Sequence, residues 1–223
     1  MTAQPAGRFD PAEFIRLQTT IAHPPLVPEI RLHLATEITP IWQATEASLA
    51  ETNLPPPYWA FAWPGGQAIA RYLLDNPALV RGRAVLDFAS GSGLVAIAAA
   101  MGGARRAVAN DIDAVAGAAV QLNAALNGVA VETDHADLLD GDAIGFDLVL
   151  AGDVCYERPM AERVTRWVRG LAARGVDVLL ADPGRAYLPK DGLVELARYA
   201  VKTSLELEDR ELRETVIYRL QAT

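Results

Sequence analysis

Val85-Leu-Asp-Phe-Ala-Ser-Gly-Ser-Gly93 is the stretch that decides the fold of this 223-residue chain. Its first half belongs to an apolar run, Ala84–Phe88, whose composition predicts a buried β-strand. The glycines Gly91 and Gly93 separate this strand from a second apolar run, Gly93–Met101, which predicts a helix. A strand, a glycine loop and a helix in this order are typical of the first unit of an α/β sheet.

The same alternation of strands and helices continues to residue 181. The strands predicted after the glycine loop are Arg106–Asn110, Ala130–Thr133, Phe146–Ala151 and Val176–Ala181. The predicted helices are Asp113–Asn127, which begins with Asp113 as its N-cap, and Pro159–Ala173. Hydrophobic strands that alternate with helices predict a parallel sheet that is covered on both faces.

The two ends of the chain depart from this alternation. A predicted helix at Gly192–Arg198 precedes two strand-like runs, Tyr199–Leu207 and Glu214–Leu220, which a short connection makes antiparallel. At the other end the predicted elements are a helix at Pro11–Thr20, a strand at Ile30–Ala35 and an amphipathic helix at Pro40–Glu51. We therefore expect one domain, with residues 1–57 as an N-terminal helical extension and residues 58–223 as the core.

The composition argues against several classes of protein. A single cysteine, Cys155, rules out a disulfide framework and a cysteine-based zinc site, and we expect no bound metal. Residues 1–10 lack the pattern of a secretory signal, and no apolar run reaches the roughly 20 residues that span a bilayer. We therefore expect a cytoplasmic protein without membrane contacts. The net charge of −8 and the scattered arginines argue against a nucleic-acid partner and favour a basic protein partner.

The glycine loop also indicates the cofactor. Residues 91–96 satisfy the pattern G-x-G-x-x-A, which would serve a nicotinamide dinucleotide as well as S-adenosylmethionine. In a dinucleotide site the first glycine directly follows the strand, whereas here Phe-Ala-Ser lies between Asp87 and Gly91. A carboxylate at this place would repel a pyrophosphate, but it suits the ammonium and sulfonium groups of S-adenosylmethionine.

Two further carboxylates follow successive predicted strands, at the edge where open α/β sheets bind their ligands. Asp111 is placed to accept hydrogen bonds from the ribose hydroxyls, and Asp137 from the adenine amino group. The alternative is a cap of a turn or helix, which we prefer for Asp113, Asp140 and Asp142. With sequence neighbours of these motifs, the predicted cofactor site comprises Trp63, Asp87, Ala89, Gly91, Gly93, Asn110, Asp111, Ile112, Asp137, Leu138 and Gly152.

These motifs resemble those of a known family. Asp87–Gly93, Ala109–Asp113 and the helix end Gln121–Gly128 are similar to the seven-stranded class I methyltransferases. The tryptophan-rich segment Pro57–Gln67 and the Asp-x-x-Tyr pattern within Ala151–Glu157 narrow the resemblance to the protein-lysine methyltransferases of that group. When Ala181–Pro189 is added, the set resembles the electron transfer flavoprotein β-subunit lysine methyltransferases from residue 55 to the C-terminus.

The resemblance implies both a fold and an activity. The fold is a Rossmann-like α/β domain with a seven-stranded, mostly parallel sheet and an antiparallel C-terminal strand, in agreement with the predicted hairpin. The implied activity is S-adenosylmethionine-dependent methylation of protein lysines, with the electron transfer flavoprotein β subunit as the expected substrate. Ribosomal protein L11 methyltransferases share the glycine loop and Asn-Asp-Ile-Asp, but we expect this chain to lack their long N-terminal docking domain. That alternative therefore ranks second.

The resemblance also suggests the catalytic residues. Asp153 and Tyr156, just beyond the fourth predicted strand, are expected to orient the substrate amine, and Glu157 to belong to the same network. A free lysine has a pKa of about 10.4, so a desolvated aromatic pocket would favour its reactive neutral form. The alternatives are that Asp153 caps the helix predicted to begin at Pro159 and that Tyr156 packs into the core. Gly-Asp-Val-Cys-Tyr in place of Asn-Pro-Pro-Tyr argues against methylation of nucleic-acid bases.

Other candidates surround these motifs. Trp59, Phe61 and Trp63 are expected on one face of a short extended segment, with packing into the core as the alternative. We expect Trp63 and Gln67 near the cofactor or the target lysine. Arg185 is expected either to contact the protein substrate or a carboxylate, or to lie in a solvated turn.

Two other classes remain, an NAD-dependent oxidoreductase and a non-catalytic protein that keeps the fold, and the cofactor assignment can be tested directly against the first. S-adenosylhomocysteine should stabilise the protein by about 2.7 kcal/mol at one hundred times its Kd. NAD should leave the melting temperature unchanged, because Asp87 disfavours a pyrophosphate. A thermal-shift comparison of the two ligands measures this difference. Stabilisation by NAD alone would contradict the assignment.

Overall fold

A computed structural model of the chain describes residues 10–35, 56–141, 143–204 and 208–222. Its strands are β1 (Thr20–Ala22), β2 (Leu32–Leu34), β3 (Ala84–Phe88), β4 (Arg106–Asn110), β5 (Glu132–Asp134), β6 (Leu148–Gly152), β7 (Asp177–Asp182), β8 (Leu193–Lys202) and β9 (Leu212–Leu220). Its α-helices are α1 (Pro11–Gln18), α2 (Pro64–Asp75), α3 (Leu94–Met101), α4 (Ala114–Leu126) and α5 (Arg158–Ala173). Short 3₁₀ helices cover Tyr58–Ala60 and Pro77–Leu79.

Seven of these strands form one sheet, in the order β5-β4-β3-β6-β7-β9-β8. Strands β3 to β7 pair in parallel, whereas β9 is antiparallel to both β7 and β8. This arrangement confirms the expected mostly parallel sheet with an antiparallel C-terminal strand. The chain moves outward from β3 to β5 and then returns to β6 on the other side of β3. A crevice therefore lies at the carboxyl ends of β3 and β6, where such sheets bind ligands.

The sheet is buried on both faces. Adjacent residues of β3 point in opposite directions, so that Val85 belongs to one hydrophobic core and Leu86 to the other. The first core also receives side chains of α2, α3 and α4, and the second receives those of α5. Trp167 of α5 packs against Phe88 with ring centroids 4.7 Å apart. Across the described residues, no helix combines the length and apolar character needed to cross a bilayer.

Of the N-terminal extension, α1 and β2 pack against α4. The predicted helix and strand are confirmed as α1 and as β2, which pairs with β1 in a separate two-stranded sheet. Asn123 of α4 is buried; its side-chain oxygen accepts from the His33 backbone N–H at 2.8 Å, and its amide donates to the Ser92 carbonyl at 2.9 Å. One side chain thus joins the extension to the glycine loop. The predicted helix at Pro40–Glu51 lies outside the described residues.

The predicted helix at Gly192–Arg198 is wrong, because β8 begins at Leu193 and continues to Lys202. It pairs with β9 from Leu193 opposite Leu220 to Lys202 opposite Leu212. A register shift between Glu195 and Ala197 interrupts the two-residue periodicity that would identify a strand. Leucine, glutamate, alanine and arginine also favour helices, and here the ladder to β9 overrides that local preference. The predicted hairpin itself is confirmed.

Helix α2 has no counterpart among the predicted elements, because Pro64-Gly65-Gly66 is typical of a loop. The glycines instead allow its first turn to approach the carboxyl end of β6. A Cβ atom on Gly65 would lie 2.5 Å from Asp153 Oδ2 and 2.7 Å from the Ala181 carbonyl oxygen. A Cβ atom on Gly152 would lie 2.8 Å from the Gly66 nitrogen. The predicted cofactor residue Gly152 therefore has a packing role that the sequence did not indicate.

Gly65→Ala should destabilise the protein, because the new methyl group would collide with backbone atoms of two strand ends. We expect a loss of about 1–3 kcal/mol in the free energy of unfolding, measured by urea denaturation. Gly66→Ala is the matched control, since a Cβ atom there has no atom within 4 Å. It should stabilise α2 by roughly 0.5–1 kcal/mol. Equal effects of the two substitutions would contradict the close approach.

Candidate functional site

The glycine loop is held by two carboxylates. Ala89, Gly91 and Gly93 have φ angles of 53°, 51° and 77°, all in the left-handed region. This conformation is strained for Ala89, which carries a Cβ atom. The Gly91 N–H donates to Asp111 Oδ2 at 2.9 Å, and the Ala96 N–H donates to Asp87 Oδ2 at 3.0 Å. Asp87 and Asp111 therefore fix the loop from the ends of two neighbouring strands, β3 and β4.

Asp87 is buried, with 2% of its surface exposed. Burial raises its pKa to about 8, and the nearby Asp111 adds to this rise, while the hydrogen bond from Ala96 opposes it. A cationic partner would stabilise the ionised form of this buried carboxyl group, because a positive charge would offset the loss of hydration. Its surroundings thus suit the ammonium-bearing ligand inferred from the sequence.

Asp111 lies at the rim of the crevice. Its second oxygen accepts from the Asp113 N–H at 3.0 Å, and its carbonyl bonds to the His135 ring at 2.8 Å. The next residue, Ile112, leaves 76% of its large apolar side chain exposed beside this carboxylate. Asn110 is buried and donates to the Ala136 carbonyl at 3.0 Å, so it orders the connection that follows β5. The polar edge and the apolar Ile112 match a ribose joined to an aromatic base.

Asp137 and Leu138 follow β5 on the same side of the sheet. Asp137 is exposed; its Oδ1 accepts from the Leu139 N–H at 3.1 Å, and its Oδ2 pairs with Arg163 at 3.1 Å. Both hydrogen bonds lower the pKa of the Asp137 carboxyl group, and the one from Leu139 has the larger effect. Leu138 packs against the core that contains α5. The structure thus gives both residues local roles in the loop in addition to their predicted proximity to the cofactor.

The tryptophan-rich segment lies beside the glycine loop. A Cβ atom on Gly91 would lie 3.6 Å from the Trp59 Cα. Contrary to the expected extended segment, Tyr58–Ala60 is a 3₁₀ helix, and both Trp59 and Phe61 are buried in a core cluster with Ile15. Trp59 and Phe61 therefore pack into the core, as the alternative prediction stated. Trp63 is partly buried, and its indole N–H donates to the Tyr58 carbonyl at 2.9 Å.

An aromatic row leads from this segment to Tyr156. The ring of Tyr58 lies 6.0 Å from that of Trp63 and 5.9 Å from that of Tyr156, and both tyrosines are about half exposed. Burial raises the pKa of Tyr156, with further contributions led by Tyr58. Sequence reasoning missed Tyr58, although its place at the start of the tryptophan-rich motif was a usable signal. Gln67, which was expected near the cofactor or the target lysine, is instead buried, and its side-chain amide donates to the Ala62 carbonyl at 2.7 Å.

Asp153 lies at the centre of the site. Its Oδ2 accepts from the Gly65 N–H at 2.6 Å and the Gly66 N–H at 3.2 Å, and thus caps the first turn of α2. Its Oδ1 accepts from Arg185 Nη2 at 3.3 Å. Burial raises the pKa of Asp153 to about 7, against the opposing charge of Arg185. Asp153 therefore caps α2, which lies far away in the sequence, and not the helix before Pro159 that the alternative named, while Oδ1 also contacts a cation.

The residues after Asp153 have distinct surroundings. Tyr156 lines a cavity of about 250 Å³ together with Arg213 and the turn of residues 183–186. Glu157 is exposed and precedes α5 without capping it through its side chain. Cys155 is buried, which raises its pKa to about 12, so its thiol has no nucleophilic character at neutral pH. Tyr156 thus lines the same cavity as Arg185, the partner of Asp153, whereas Glu157 is exposed just before α5.

The loop has the groups that the inferred cofactor requires. Ser90 Oγ is buried and has no hydrogen-bond partner among the described residues. It lies in the same loop as the left-handed Gly91, between the carboxylates of Asp87 and Asp111. Carboxylates, a free hydroxyl and an exposed apolar side chain fit a ligand that combines an ammonium, ribose hydroxyls and an adenine ring. The residues present thus fit S-adenosylmethionine.

Comparisons with known proteins agree with this geometry. The family model described as Ribosomal protein L11 methyltransferase (PrmA) matches residues 71–154. The Electron transfer flavoprotein beta subunit lysine methyltransferase of Xenopus laevis is 39% identical over 95% of this chain and 87% of its own length. The human protein of the same description is 37% identical over 88% of this chain and 76% of its own.

Two solved structures support the fold. A structure from Pyrococcus horikoshii has a TM-score of 0.57 at 15% identity and covers 80% of this chain and 96% of its own. The magnesium protoporphyrin IX methyltransferase of Synechocystis, with bound S-adenosylhomocysteine, has a TM-score of 0.50 at 19% identity, over 70% and 81% of the two chains. At these identities the likeness concerns the fold alone.

The buried Asp87 should make the ligand-free protein less stable as the pH rises. Its pKa of about 8 in the folded state exceeds the value of about 3.9 in an unfolded chain. Between these two values the unfolded state binds fewer protons, so the free energy of unfolding falls with increasing pH. Asp87→Asn removes this contribution. Its stability relative to wild type, measured by urea denaturation, should therefore increase from pH 5 to pH 8.

Asp147→Asn is the control, because the stability contribution of Asp147 should depend on pH in the opposite direction. The hydrogen bond from the Ala84 N–H at 2.7 Å, followed by the charges of Arg105 and Arg83, lowers the pKa of Asp147. Its stabilisation is present above the pKa of the unfolded state and is lost on acidification. The variant should therefore lose stability at neutral pH and approach wild type in acid. Parallel curves for wild type and Asp87→Asn would contradict the buried, protonated carboxyl group.

Proposed function

This chain belongs to the family of the electron transfer flavoprotein beta subunit lysine methyltransferases, and we propose that the electron transfer flavoprotein β subunit is its substrate. The observation that carries the assignment is the identity of 37–39% over 88–95% of the chain to two relatives of that description. The protein is accordingly a protein-lysine N-methyltransferase that uses S-adenosylmethionine. The acidic net charge of −8 supports a lysine-bearing protein as partner.

The L11 alternative rests on a smaller part of the chain. The relative from Caldicellulosiruptor bescii, described as Ribosomal protein L11 methyltransferase, is 48% identical but covers only 33% of this chain. The match of the family model ends at residue 154, before Tyr156 and the turn that contains Arg185. The segment that the family model matches therefore contains the glycine loop but not Tyr156 or Arg185.

We assign cofactor binding to the residues that surround the glycine loop. S-adenosylmethionine supplies the electrophilic methyl group when it is bound. Asp87 offers its buried carboxyl group to a cation, and Asp111 offers acceptor oxygens at the rim. Ile112 provides an apolar surface, while Trp63 supports the loop through the Tyr58 carbonyl. The remaining members of the assigned set are Ala89, Gly91, Gly93, Asn110, Asp137, Leu138 and Gly152.

We assign the orientation of the substrate amine to Asp153 and Tyr156, with Glu157 at the outer edge of the same rim. Methyl transfer requires a neutral amine whose lone pair faces the methyl group. A carboxylate with a pKa of about 7 accepts hydrogen bonds from the amine near neutral pH. The paired rings of Tyr58 and Tyr156 supply a partly desolvated wall, which lowers the pKa of an approaching lysine.

Asp153→Asn should lower kcat by about 100-fold or more, because a neutral amide accepts hydrogen bonds more weakly than a carboxylate and would misorient the amine. Tyr156→Phe should have a smaller effect, on the order of tenfold, since the aromatic wall remains. The assay follows transfer of labelled methyl groups to purified electron transfer flavoprotein β subunit, and mass spectrometry identifies the modified lysines. Binding of S-adenosylhomocysteine, measured by thermal shift, should survive both substitutions.

Asp191→Asn serves as the control, since it removes an exposed carboxylate that pairs with Arg169 at the surface. Its activity should equal that of wild type. Ribosomal protein L11 is the competing substrate in the same assay. Methylation of L11 without methylation of the β subunit would reject the proposed substrate. Full activity of Asp153→Asn would reject the catalytic assignment.

A further inference from the structure

Asp153 and four other charged side chains form a cluster on the side of Asp153 that faces away from α2. They are Asp153, Asp182, Arg185, Glu208 and Arg213, from the ends of β6 and β7, the turn after β7, and the start of the β9 region. Most lie beyond the last residue matched by the methyltransferase family model. Of these five residues, only Asp153 belongs to the proposed cofactor and amine sites.

Arg185 is held through both its backbone and its side chain. Asp182 Oδ1 accepts from the N–H groups of Gly184 at 2.7 Å and of Arg185 at 2.6 Å, which fixes the turn. The Arg185 Nη2 atom bridges two carboxylates, with Glu208 Oε1 at 2.6 Å and Asp153 Oδ1 at 3.3 Å. Because the turn fixes its backbone and Glu208 holds Nη2, the guanidinium restrains the orientation of the Asp153 carboxylate.

Glu208 anchors this bridge. Its side chain is only 2% exposed, and its second oxygen accepts from Arg213 Nε at 3.0 Å. Arg213 also donates to the Glu208 carbonyl at 2.7 Å. A buried carboxylate needs such partners, because an unpaired charge away from water is strongly destabilising. Glu208 thus connects the β9 region to Asp153 through one shared guanidinium.

We propose that Arg185, fixed by Glu208, is a positioning residue that keeps Asp153 ionised and oriented for the substrate amine. The inference rests on the proposed role of Asp153. Activity therefore also depends on Arg185 and Glu208, which follow β7 in the chain and do not contact the reacting groups. Of the options that the sequence left open for Arg185, this is the contact with a carboxylate, and both carboxylates belong to the enzyme itself.

The surroundings of Asp153 determine how each substitution should act. The α2 N–H groups and Arg185 favour its ionised form, whereas burial and the charges of Asp182 and Glu208 favour its protonated form. Cys155 also lies nearby, as a neutral thiol. Removal of the Arg185 charge should therefore raise the pKa of Asp153, and removal of the Glu208 charge should lower it. A purely structural contribution of either residue would not shift the pH dependence.

The test measures kcat and KM for methylation of the β subunit between pH 6 and pH 10. For Arg185→Gln, the acidic limb of the kcat profile should move upward by about 1–2 pH units, because a close opposite charge has been lost. For Glu208→Gln the limb should move downward, while the plateau of kcat falls severalfold because Arg185 is no longer fixed. KM should change little in both variants. Arg185→Lys should return the limb towards its wild-type position.

Arg198→Gln is the matched control. Arg198 bridges Glu195 and Glu214 on the exposed surface of β8 and β9, so the variant removes a similar ion-pair bridge away from the site. Its pH profile should equal that of wild type. Thermal melting and binding of S-adenosylhomocysteine verify that each variant is folded.

Two results distinguish failure of this inference from failure of the proposed function. An unshifted acidic limb in Arg185→Gln, combined with an inactive Asp153→Asn, would overturn the positioning role alone. A fully active Asp153→Asn would instead overturn the catalytic assignment from which the inference starts. A shift of both Arg185→Gln and Glu208→Gln in the same direction would also contradict the proposal, because the two substitutions remove charges of opposite sign.

Discussion

The hydrogen bonds from the first turn of α2 to the Asp153 carboxylate are the interaction on which the arrangement of the site depends. The Gly65 and Gly66 N–H groups reach Asp153 Oδ2 at 2.6 and 3.2 Å, and neither has a partner within its own helix at that position. A carboxylate at a helix N-terminus is favoured by the helix dipole as well as by these hydrogen bonds. The contact therefore fixes α2 and Asp153 together.

Three other parts of the site follow from this contact. Helix α2 begins directly after Trp63, so its position determines where the aromatic segment meets the glycine loop and Tyr156. The left-handed conformation of Asp153, with a φ angle of 58°, turns the chain after β6 towards Tyr156. The remaining oxygen of Asp153 accepts from Arg185, which joins the turn after β7 to the same carboxylate. Backbone strain at Asp153 is retained because these contacts determine its conformation from several directions.

Local patterns in the sequence predicted a large part of the fold. The strands around the glycine loop, helices α3, α4 and α5 and the C-terminal hairpin were recognisable, because each carries its own periodicity and turn residues. The helix predicted at Gly192–Arg198 failed because its residues have helical preferences while the ladder to β9 makes them a strand. Helix α2 was missed for the opposite reason, since the Pro-Gly-Gly at its start is typical of a loop. In both cases a distant partner decides the local conformation.

The sequence by itself determined the cofactor class, the order of strands and helices, and the family, because these depend on motifs that are contiguous in the chain. Asp87, Gly91, Gly93 and Asp111 belong to one strand-loop-helix-strand unit, and their roles can be inferred from spacing. Only the tertiary structure decided that Asp153 caps α2, 88 residues earlier, and that Arg185 meets Glu208, 23 residues later. No local pattern specifies such pairs. They form because the sheet brings the ends of β6, β7 and β9 together, where buried charges must find partners.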